Sequence, residues 1–192
     1  MKLLAIILVF NACLACAQGS YRWDVKIGVD TAGQRVFKMK AKATTISILA
    51  SKDKNPRPDD KEKQKGLRAS SEKRKVTVTA YVIGLGEEPD GDYHLILKAL
   101  RSKITLVGEI PNPIQPKLSG FPSYKNLYST ARDNVDNGIQ KPAKTIKEIE
   151  PVKVIVTGYV FFDIFEQGGH GNGSALENAL EIHPIVKIKV VK

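Results

Sequence analysis

Five ionisable residues stand at the ends of predicted β-strands: Asp92, His94, Glu109, Glu181 and His183. Side chains two residues apart on a strand point to the same side of a sheet, so Asp92 and His94 share a face, as do Glu181 and His183. Antiparallel pairing would bring Asp92 and Glu109 to the same end of the sheet. Carboxylates suit a hard cation such as Ca²⁺ or Mg²⁺, and imidazoles suit general acid–base chemistry. The set predicts metal ligation by Asp92 and Glu109, catalysis by His94 or His183, and a ligand contact at Glu181.

Each of these residues also has a purely structural interpretation. Asp and Gly at positions 90–92 are common turn chemistry, His94 can donate to a backbone carbonyl in a core, and His183-Pro184 can fix the start of a strand. A structural sheet nevertheless has little use for so many ionisable groups at its strand ends. The sequence has no zinc-ligand spacing, phosphate-binding loop, Gly-x-Ser-x-Gly motif or Rossmann fingerprint.

The apolar pattern predicts the elements that would hold these residues. Period-two alternation indicates strands, and apolar residues at a spacing of three and four indicate a helix. Strands are predicted over residues 76–85, 93–99, 104–110, 152–162 and 180–191, with a helix over residues 122–137. Three strands, one helix and two strands are the order of an OB-fold, a five-stranded, partly open barrel. An irregular β-sandwich is the alternative.

The chain begins with the features of a signal peptide, predicted over residues 1–17. Lys2 precedes an apolar run that ends in an Ala-Cys-Ala cleavage pattern. We expect an exported protein, periplasmic or extracellular; the alternative is a lipoprotein anchored through Cys16. Both cysteines of the sequence fall in this segment, so the mature chain must be stabilised without a disulfide. No apolar stretch has the roughly 20 residues of a membrane-spanning helix.

Residues 18–50 are predicted as an extension of the barrel. Trp23, Val25 and Ile27 alternate with charged residues, which indicates a short added strand. Residues 43–50 are β-branched and apolar, and they fit either a second strand or a short helix.

Residues 51–75 separate this extension from the barrel, which is predicted to occupy residues 76–192. The segment contains ten Lys and Arg against five Asp and Glu, a net charge of +5, and few apolar side chains. Such a composition predicts a solvated, flexible loop.

The whole chain carries 30 Lys and Arg against 20 Asp and Glu, a formal net charge of +10. This excess favours a polyanionic partner such as a nucleic acid or an acidic oligosaccharide; the alternative is an exported protein that is basic without such a partner. Aromatic strand residues, Tyr93 among them, can stack on bases. The glycine-rich residues 168–173, which include His170, can close over a ligand. Tyr93 and His170 are therefore predicted as ligand contacts.

Five segments of the sequence form a recognisable pattern: WDVK at 23–26, DGDYHL at 90–95, EIP at 109–111, TGYVFFD at 157–163 and EIHP at 181–184. The pattern resembles a loosely defined set of uncharacterised exported bacterial proteins with an OB-like domain. The resemblance spans most of the mature chain and implies a fold, but it implies no function.

Residues 90–112 carry a second, more local resemblance. Asp90-Gly91-Asp92 before one strand, and Glu109 to Asn112 after the next, are similar to motifs of the thermonuclease-like (staphylococcal nuclease) OB-folds. The resemblance implies Ca²⁺ binding at Asp92 and Glu109. The sequence departs from the family at Asn112, which replaces the catalytic Glu, and no arginine occupies the matching place in the middle strands. Phosphodiester cleavage would then need His94 or His183 as the base.

Three functions are compatible with these observations. The first is an exported OB-like domain that binds a polyanion, and the second is a metal-dependent phosphodiesterase or nuclease. The third is a structural envelope protein without catalysis, in which the polar cluster only stabilises the fold.

Overall fold

The computed structural model describes residues 22–51, 54–55, 66–163 and 180–191, and it shows a mainly β protein with a few helices. The elements are α1 (Trp23–Lys26), α2 (Thr31–Lys38), β1 (Lys42–Ala43), α3 (Ile46–Leu49), β2 (Lys75–Glu87), β3 (Tyr93–Ala99), β4 (Thr105–Ile110), α4 (Pro122–Gly138), β5 (Lys147–Phe162) and β6 (Leu180–Val190). The predicted succession of three strands, one helix and two strands is confirmed. The predicted signal peptide, residues 168–173 and His170 lie outside the described residues.

Five of the six strands close into a ring. The sheet order is β1-β2-β3-β4-β6-β5, and β2 also pairs with β5. Strands β4 and β6 are parallel neighbours, with Val107 opposite Glu181 and Gly108 opposite Ile182. The two-residue strand β1 is parallel to β2, and the remaining pairs are antiparallel. The parallel pair places the start of the last strand beside the end of β4, which is where the predicted polar residues lie.

The two faces of the ring differ in what they bury. The inward face forms one apolar core that includes Leu95 and Leu97 of β3 and Ile182 of β6. Ile96, Val107 and Phe161 are also buried but do not belong to that core cluster. Because side chains alternate along a strand, these three lie on the outer face, together with every second residue of β3, β4 and the start of β6.

Helix α4 packs mainly against β6. It buries Tyr124, Tyr128, Ala131 and Val135, which are spaced three or four residues apart as predicted. The hydroxyl of Tyr128 donates a hydrogen bond to the carbonyl oxygen of Ile27 at 2.7 Å. The helix therefore connects the ring to the N-terminal segment. None of the helices among the described residues is both long and apolar enough to cross a membrane.

The added N-terminal strand was predicted wrongly. Trp23–Lys26 form one turn of α-helix, in which the Ile27 amide donates to the Trp23 carbonyl at 3.0 Å. Arg22 (φ 65°) and Gly28 (φ 76°) bracket this turn with left-handed conformations, so the chain does not enter or leave it as a strand. The turn still buries Val25 and Ile27, so alternation over three positions did not discriminate between the two structures.

The structure decides between the two alternatives for residues 43–50 in favour of a helix. Strand β1 has only two residues, and Ile46–Leu49 form the helical turn α3. Thr45 caps this turn, since its hydroxyl accepts a hydrogen bond from the Ile48 amide at 3.2 Å.

The prediction of a solvated loop over residues 51–75 does not hold for its C-terminal part. Glu72 is fully buried: it accepts hydrogen bonds from the amides of Ala69 at 2.7 Å and Phe162 at 2.9 Å, and it pairs with Arg22. Arg68, also buried, pairs with Asp30 at 2.9 Å. Long-range ion pairs therefore hold this charged stretch against the ring, and a reading of local composition alone could not reveal them.

Candidate metal and acid–base site

The five predicted ionisable residues meet on the outer face of β3, β4 and β6. His94 lies directly opposite Glu109 in the β3–β4 ladder, and Glu181 lies opposite Val107 in the parallel β4–β6 pair. His183, two residues after Glu181, is therefore level with Glu109. Asp92 reaches the same place from the turn before β3. All five residues are buried, and the cluster they form is called the site below.

Two carboxylates hold His94. Its Nδ1 atom lies 3.0 Å from Glu109 Oε1 and 3.0 Å from Glu88 Oε1. Burial disfavours the charged imidazole, but the hydrogen bonds to Glu109 and Glu88 outweigh this and raise the pKa of His94 to about 10. The other ring nitrogen, Nε2, is buried and has no hydrogen-bond partner. His94 thus has one anchored nitrogen and one unused nitrogen.

His183 lies at the centre of the site. Its Nδ1 atom is 2.9 Å from Glu109 Oε2, and its Nε2 atom is 3.6 Å from Asp92 Oδ2. Burial lowers the pKa of His183, but the nearby charge of Glu109 outweighs burial and raises that pKa to about 9. The approach to Glu109 is close in distance but does not have hydrogen-bond geometry, and neither ring nitrogen has a hydrogen-bond partner. His183 is therefore held by charge and by packing, with both ring nitrogens free of hydrogen bonds.

Lys26 of α1 brings a cation to the same carboxylates. Its Nζ atom lies 3.1 Å from Asp90 Oδ2, 3.4 Å from Glu109 Oε2 and 3.6 Å from Asp92 Oδ2. Burial opposes the charge of this ammonium, but the carboxylates, with Glu109 first, outweigh burial and raise the pKa of Lys26 above its usual range. The side chain is 20% exposed and lies beside the Trp23 ring, so it reaches both the site and solvent.

The turn before β3 fixes the orientation of Asp92. Its Oδ1 atom accepts hydrogen bonds from the Asn112 amide at 2.8 Å and from Gln115 Nε2 at 3.3 Å, so Oδ2 alone is directed toward His183 and Lys26. Gly91 provides the positive φ (85°) that the turn requires. Burial raises the pKa of Asp92 to about 6 despite the nearby charges of His183 and Lys26.

Arg132 of α4 supports the site from the opposite side of the turn. Its guanidinium donates to the carbonyl oxygens of Gly91, Pro111 (3.1 Å) and Ile110 (3.2 Å), which are next in sequence to Asp92 and Glu109. One side chain therefore holds together the two backbone segments that present the site's carboxylates.

The site has the composition of a divalent-cation site. One oxygen or nitrogen atom each from Asp92, Glu109 and His183 lie within 4.8 Å of one another, and a second such group consists of Glu88, His94 and Glu109. Asp92 Oδ2, Glu109 Oε2 and both nitrogens of His183 are buried without a hydrogen-bond partner. Buried polar atoms rarely remain unsatisfied, and oxygen and imidazole ligands suit divalent cations. The residues present therefore fit such an ion, for which the ammonium of Lys26 is a competitor.

Sequence reasoning identified Asp92, His94, Glu109, Glu181 and His183 but missed three residues that complete the site. Glu88 lies in a turn, Arg132 reaches across from α4, and Lys26 belongs to the segment that was predicted as a strand. The segment WDVK at 23–26 was part of the pattern shared with exported proteins, and this was the one signal in the sequence that pointed to Lys26.

The predicted ligand contact Tyr93 is not part of the site. Tyr93 lies on the inward side of β3, where the guanidinium of Arg132 stacks over its ring at 3.9 Å; it faces away because it is one residue from His94. His170 lies outside the described residues. Of the other strand aromatics, Tyr159 and Phe162 are in the core, whereas Phe161 packs edge-on against His183 at 5.7 Å between ring centroids.

Comparison of this chain with family models, with curated proteins and with solved structures finds no match.

Proposed function

We propose that the five-strand ring is an OB-like barrel. The ring order β2-β3-β4-β6-β5, with a parallel contact between β4 and β6 and a helix between β4 and β5, supports this assignment. OB-folds bind ligands on the face of their second and third strands and at the neighbouring loops. The site occupies the outer face of β3 and β4, the second and third strands of the ring, and the turn that leads into β3.

We propose further that the protein is a cation-dependent phosphodiesterase acting at this site. One observation carries the proposal: Asp92 Oδ2, Glu109 Oε2 and the ring nitrogens of His183 converge in a buried position and lack hydrogen-bond partners. These atoms contact one another and Lys26 as charged groups, but not with hydrogen-bond geometry. Ligand atoms gathered in this way without hydrogen bonds could exchange those charge contacts for a bound cation.

Asp92, Glu109 and His183 would hold the ion, with His183 losing its proton to solvent as the ion binds. The Ca²⁺ or Mg²⁺ expected from the sequence fits their oxygen-rich set. A divalent ion bound there supplies charge neutralisation at the phosphate and a lowered pKa for water.

The chain's own residues divide the remaining work. Lys26 places an ammonium at the edge of the site, where it can bind a phosphate oxygen. The Nε2 atom of His94 can carry a proton, because Glu109 and Glu88 hold the ring through Nδ1. In hydrolysis a water oxygen bonds to phosphorus and loses its proton to solvent, the bond to the leaving oxygen breaks, and His94 protonates that oxygen. His94 is thus proposed as a general acid. From the sequence we expected His94 or His183 to act as a base, but in this scheme solvent accepts the proton and no histidine base is required.

The proposal is tested with labelled single- and double-stranded DNA on native gels, in Ca²⁺ or Mg²⁺ and again in EDTA. We expect the DNA to be shortened only with a cation. Asp92→Asn should reduce cleavage at least about 100-fold, because the loss of a ligand lowers the affinity of the site for the cation and disturbs its geometry. Asp133→Asn, an exposed carboxylate of α4, is the matched control and should cleave as the wild type does. Full cleavage and unchanged cation affinity in both Asp92→Asn and Glu109→Gln would overturn the proposal.

Binding of a polyanion without cleavage is the second candidate function, and the net charge of +10 is the observation that favours it. The same gels distinguish the two functions. If the DNA shifts in a salt-sensitive way and stays intact in Ca²⁺ or Mg²⁺ as well as in EDTA, the result would support binding alone and would contradict the phosphodiesterase.

A further inference from the structure

The outer face of the ring carries a second, basic surface on β2, β3, β5 and β6. We call it the lysine face and define it by Lys98, Lys153, Lys187 and Lys189 with Tyr81 and Ile155 among them. Tyr81 lies directly opposite both Lys98 of β3 and Lys153 of β5. Ile155 lies opposite Lys189 of β6, and Thr157 opposite Lys187. The strand register alone therefore brings these side chains together.

The alternation of the strands directs these side chains outward. Their neighbours in sequence, Val154, Val156 and Ile188, are buried in the core. Lys153, Lys187 and Lys189 are exposed, Lys98 and Tyr81 are half-buried, and Ile155 is 37% exposed. Ile155 is one of the few large apolar side chains that the described part of the chain exposes. The surface thus combines fixed positive charge with an aromatic ring and an aliphatic side chain.

The described part of the chain does not use the charge of the lysine face in ion pairs. None of its four lysines forms an ion pair with a described residue, whereas Lys26 of the site contacts three carboxylates. Glu148 and Glu150 are the acidic residues of β5, and both lie beyond Lys153 toward the start of that strand. Adjacent strands are about 4.8 Å apart, so the four ammonium groups lie within reach of successive charges on one chain.

We propose that the lysine face binds single-stranded nucleic acid, with phosphates at the lysines and a base stacked on Tyr81. Phosphate contacts supply most of such binding and make it sensitive to salt. Stacking on an aromatic side chain requires an unpaired base, which favours a single strand over a duplex. An acidic polysaccharide has charge but no base to stack, so the tyrosine among the lysines favours nucleic acid.

The lysine face is distinct from the site but connected to it by β6. His183 and Lys187 both belong to β6 and are four residues apart, with a shift of the β5–β6 register between them. A bound strand of a few nucleotides would extend from one to the other. The idea that the lysine face delivers substrate rests on the proposed phosphodiesterase. Its binding of nucleic acid does not rest on that proposal, because binding can be measured in EDTA, where no cation is available for cleavage.

The test is fluorescence anisotropy of a labelled oligothymidylate with the full-length protein, in EDTA and over a series of salt concentrations. The variant K153E/K187E/K189E removes three lysines of the face, and K54E/K125E/K141E changes the net charge equally at three exposed lysines elsewhere. We expect the first to weaken binding about 100-fold or more at 0.1 M salt and to reduce the salt slope by about 2, from three lost contacts on a single strand. The control should change the affinity by less than about fivefold. Tyr81→Leu should cost about tenfold through lost stacking.

Equal weakening by both triple variants would overturn the proposal, and so would a wild type that binds an acidic polysaccharide but not the oligonucleotide. If K153E/K187E/K189E fails to fold, K153Q/K187Q/K189Q provides the same test with a smaller charge change. If K153E/K187E/K189E binds the oligonucleotide as tightly as the wild type, the lysine face is refuted. Cation-dependent cleavage by the same variant would then show that the phosphodiesterase does not depend on that surface.

Discussion

Glu109 is the residue on which the rest of the site depends. One carboxylate contacts His94 through Oε1, and contacts His183 and Lys26 through Oε2. Burial alone would raise its pKa, but Lys26 and the two histidines hold the pKa of Glu109 well below its usual range. The cationic neighbours and this carboxylate therefore stabilise each other, and none of them can be removed independently.

Replacement of Glu109 by glutamine is expected to lower the free energy of unfolding by about 3 kcal/mol, because it leaves buried cationic groups without their shared partner. The exposed Glu150→Gln is the control and should change stability by less than about 0.5 kcal/mol. Urea unfolding in EDTA at neutral pH measures both. A loss below about 1 kcal/mol for Glu109→Gln would show that the cluster is not held by this carboxylate.

Lys26 is expected to have opposite effects on binding and on catalysis. In Lys26→Met the ammonium no longer competes for Asp92 and Glu109, so the affinity for Ca²⁺ or Mg²⁺ should rise at least about tenfold. Cleavage of DNA should fall, since the contact to phosphate is lost. Isothermal titration with the metal alone gives the first quantity, and the gel assay gives the second. Lys38→Met, an exposed lysine of α2, should alter neither; a drop in metal affinity in Lys26→Met would contradict the competition.

At the scale of elements, α4 links the parts of the fold that sequence patterns treat as separate. Arg132 holds the backbone beside Asp92 and Glu109, and Tyr128 anchors the segment that follows α1. Burial raises the pKa of Tyr128 on α4 and of Tyr159 on β5, in both cases well above the ordinary value. The packing of the helix therefore depends on phenols that must stay neutral.

This dependence predicts loss of stability in alkali. The folded-state pKa of both tyrosines exceeds the unfolded value of about 10, so their contribution is fully present below about pH 10 and is lost as the pH rises through the folded value. Urea unfolding at about pH 9 and about pH 11 should show a decline that is smaller in Tyr128→Phe and Tyr159→Phe. Tyr81→Phe, on the outer face, serves as the control. A decline equally steep in all three variants would mean that other groups cause it.

The fold was largely predictable at the scale of strands because the apolar alternation of β2 to β6 is long and regular. The site was predictable from the same alternation, because residues two apart on a strand share a face, as Asp92 does with His94 and Glu181 with His183. The residues that were missed act through contacts that local pattern does not encode. Lys26 stands on a one-turn helix whose three alternating apolar positions read equally well as a strand, and Glu72 becomes buried only because the distant Arg22 and Phe162 surround it.

At the scale of the whole molecule, opposite charges are divided between two regions. The outer surface carries the excess of lysine, whereas the site concentrates Asp92, Glu109 and Glu181 in a buried position. If a polyanion binds the exterior as proposed, it would meet at the site a set of carboxylates already paired with Lys26, His94 and His183. A cation bound there would add positive charge next to the bound polyanion.

The parallel contact between β4 and β6 also determines when the site can exist. Glu109 belongs to β4, His183 to β6 and Lys26 to α1, so no short fragment of the chain contains the site. Pairing of such distant segments forms late and slowly in folding. During synthesis the proposed site would therefore assemble only once the ring has closed, and a chain interrupted before β6 would lack both the ring and His183.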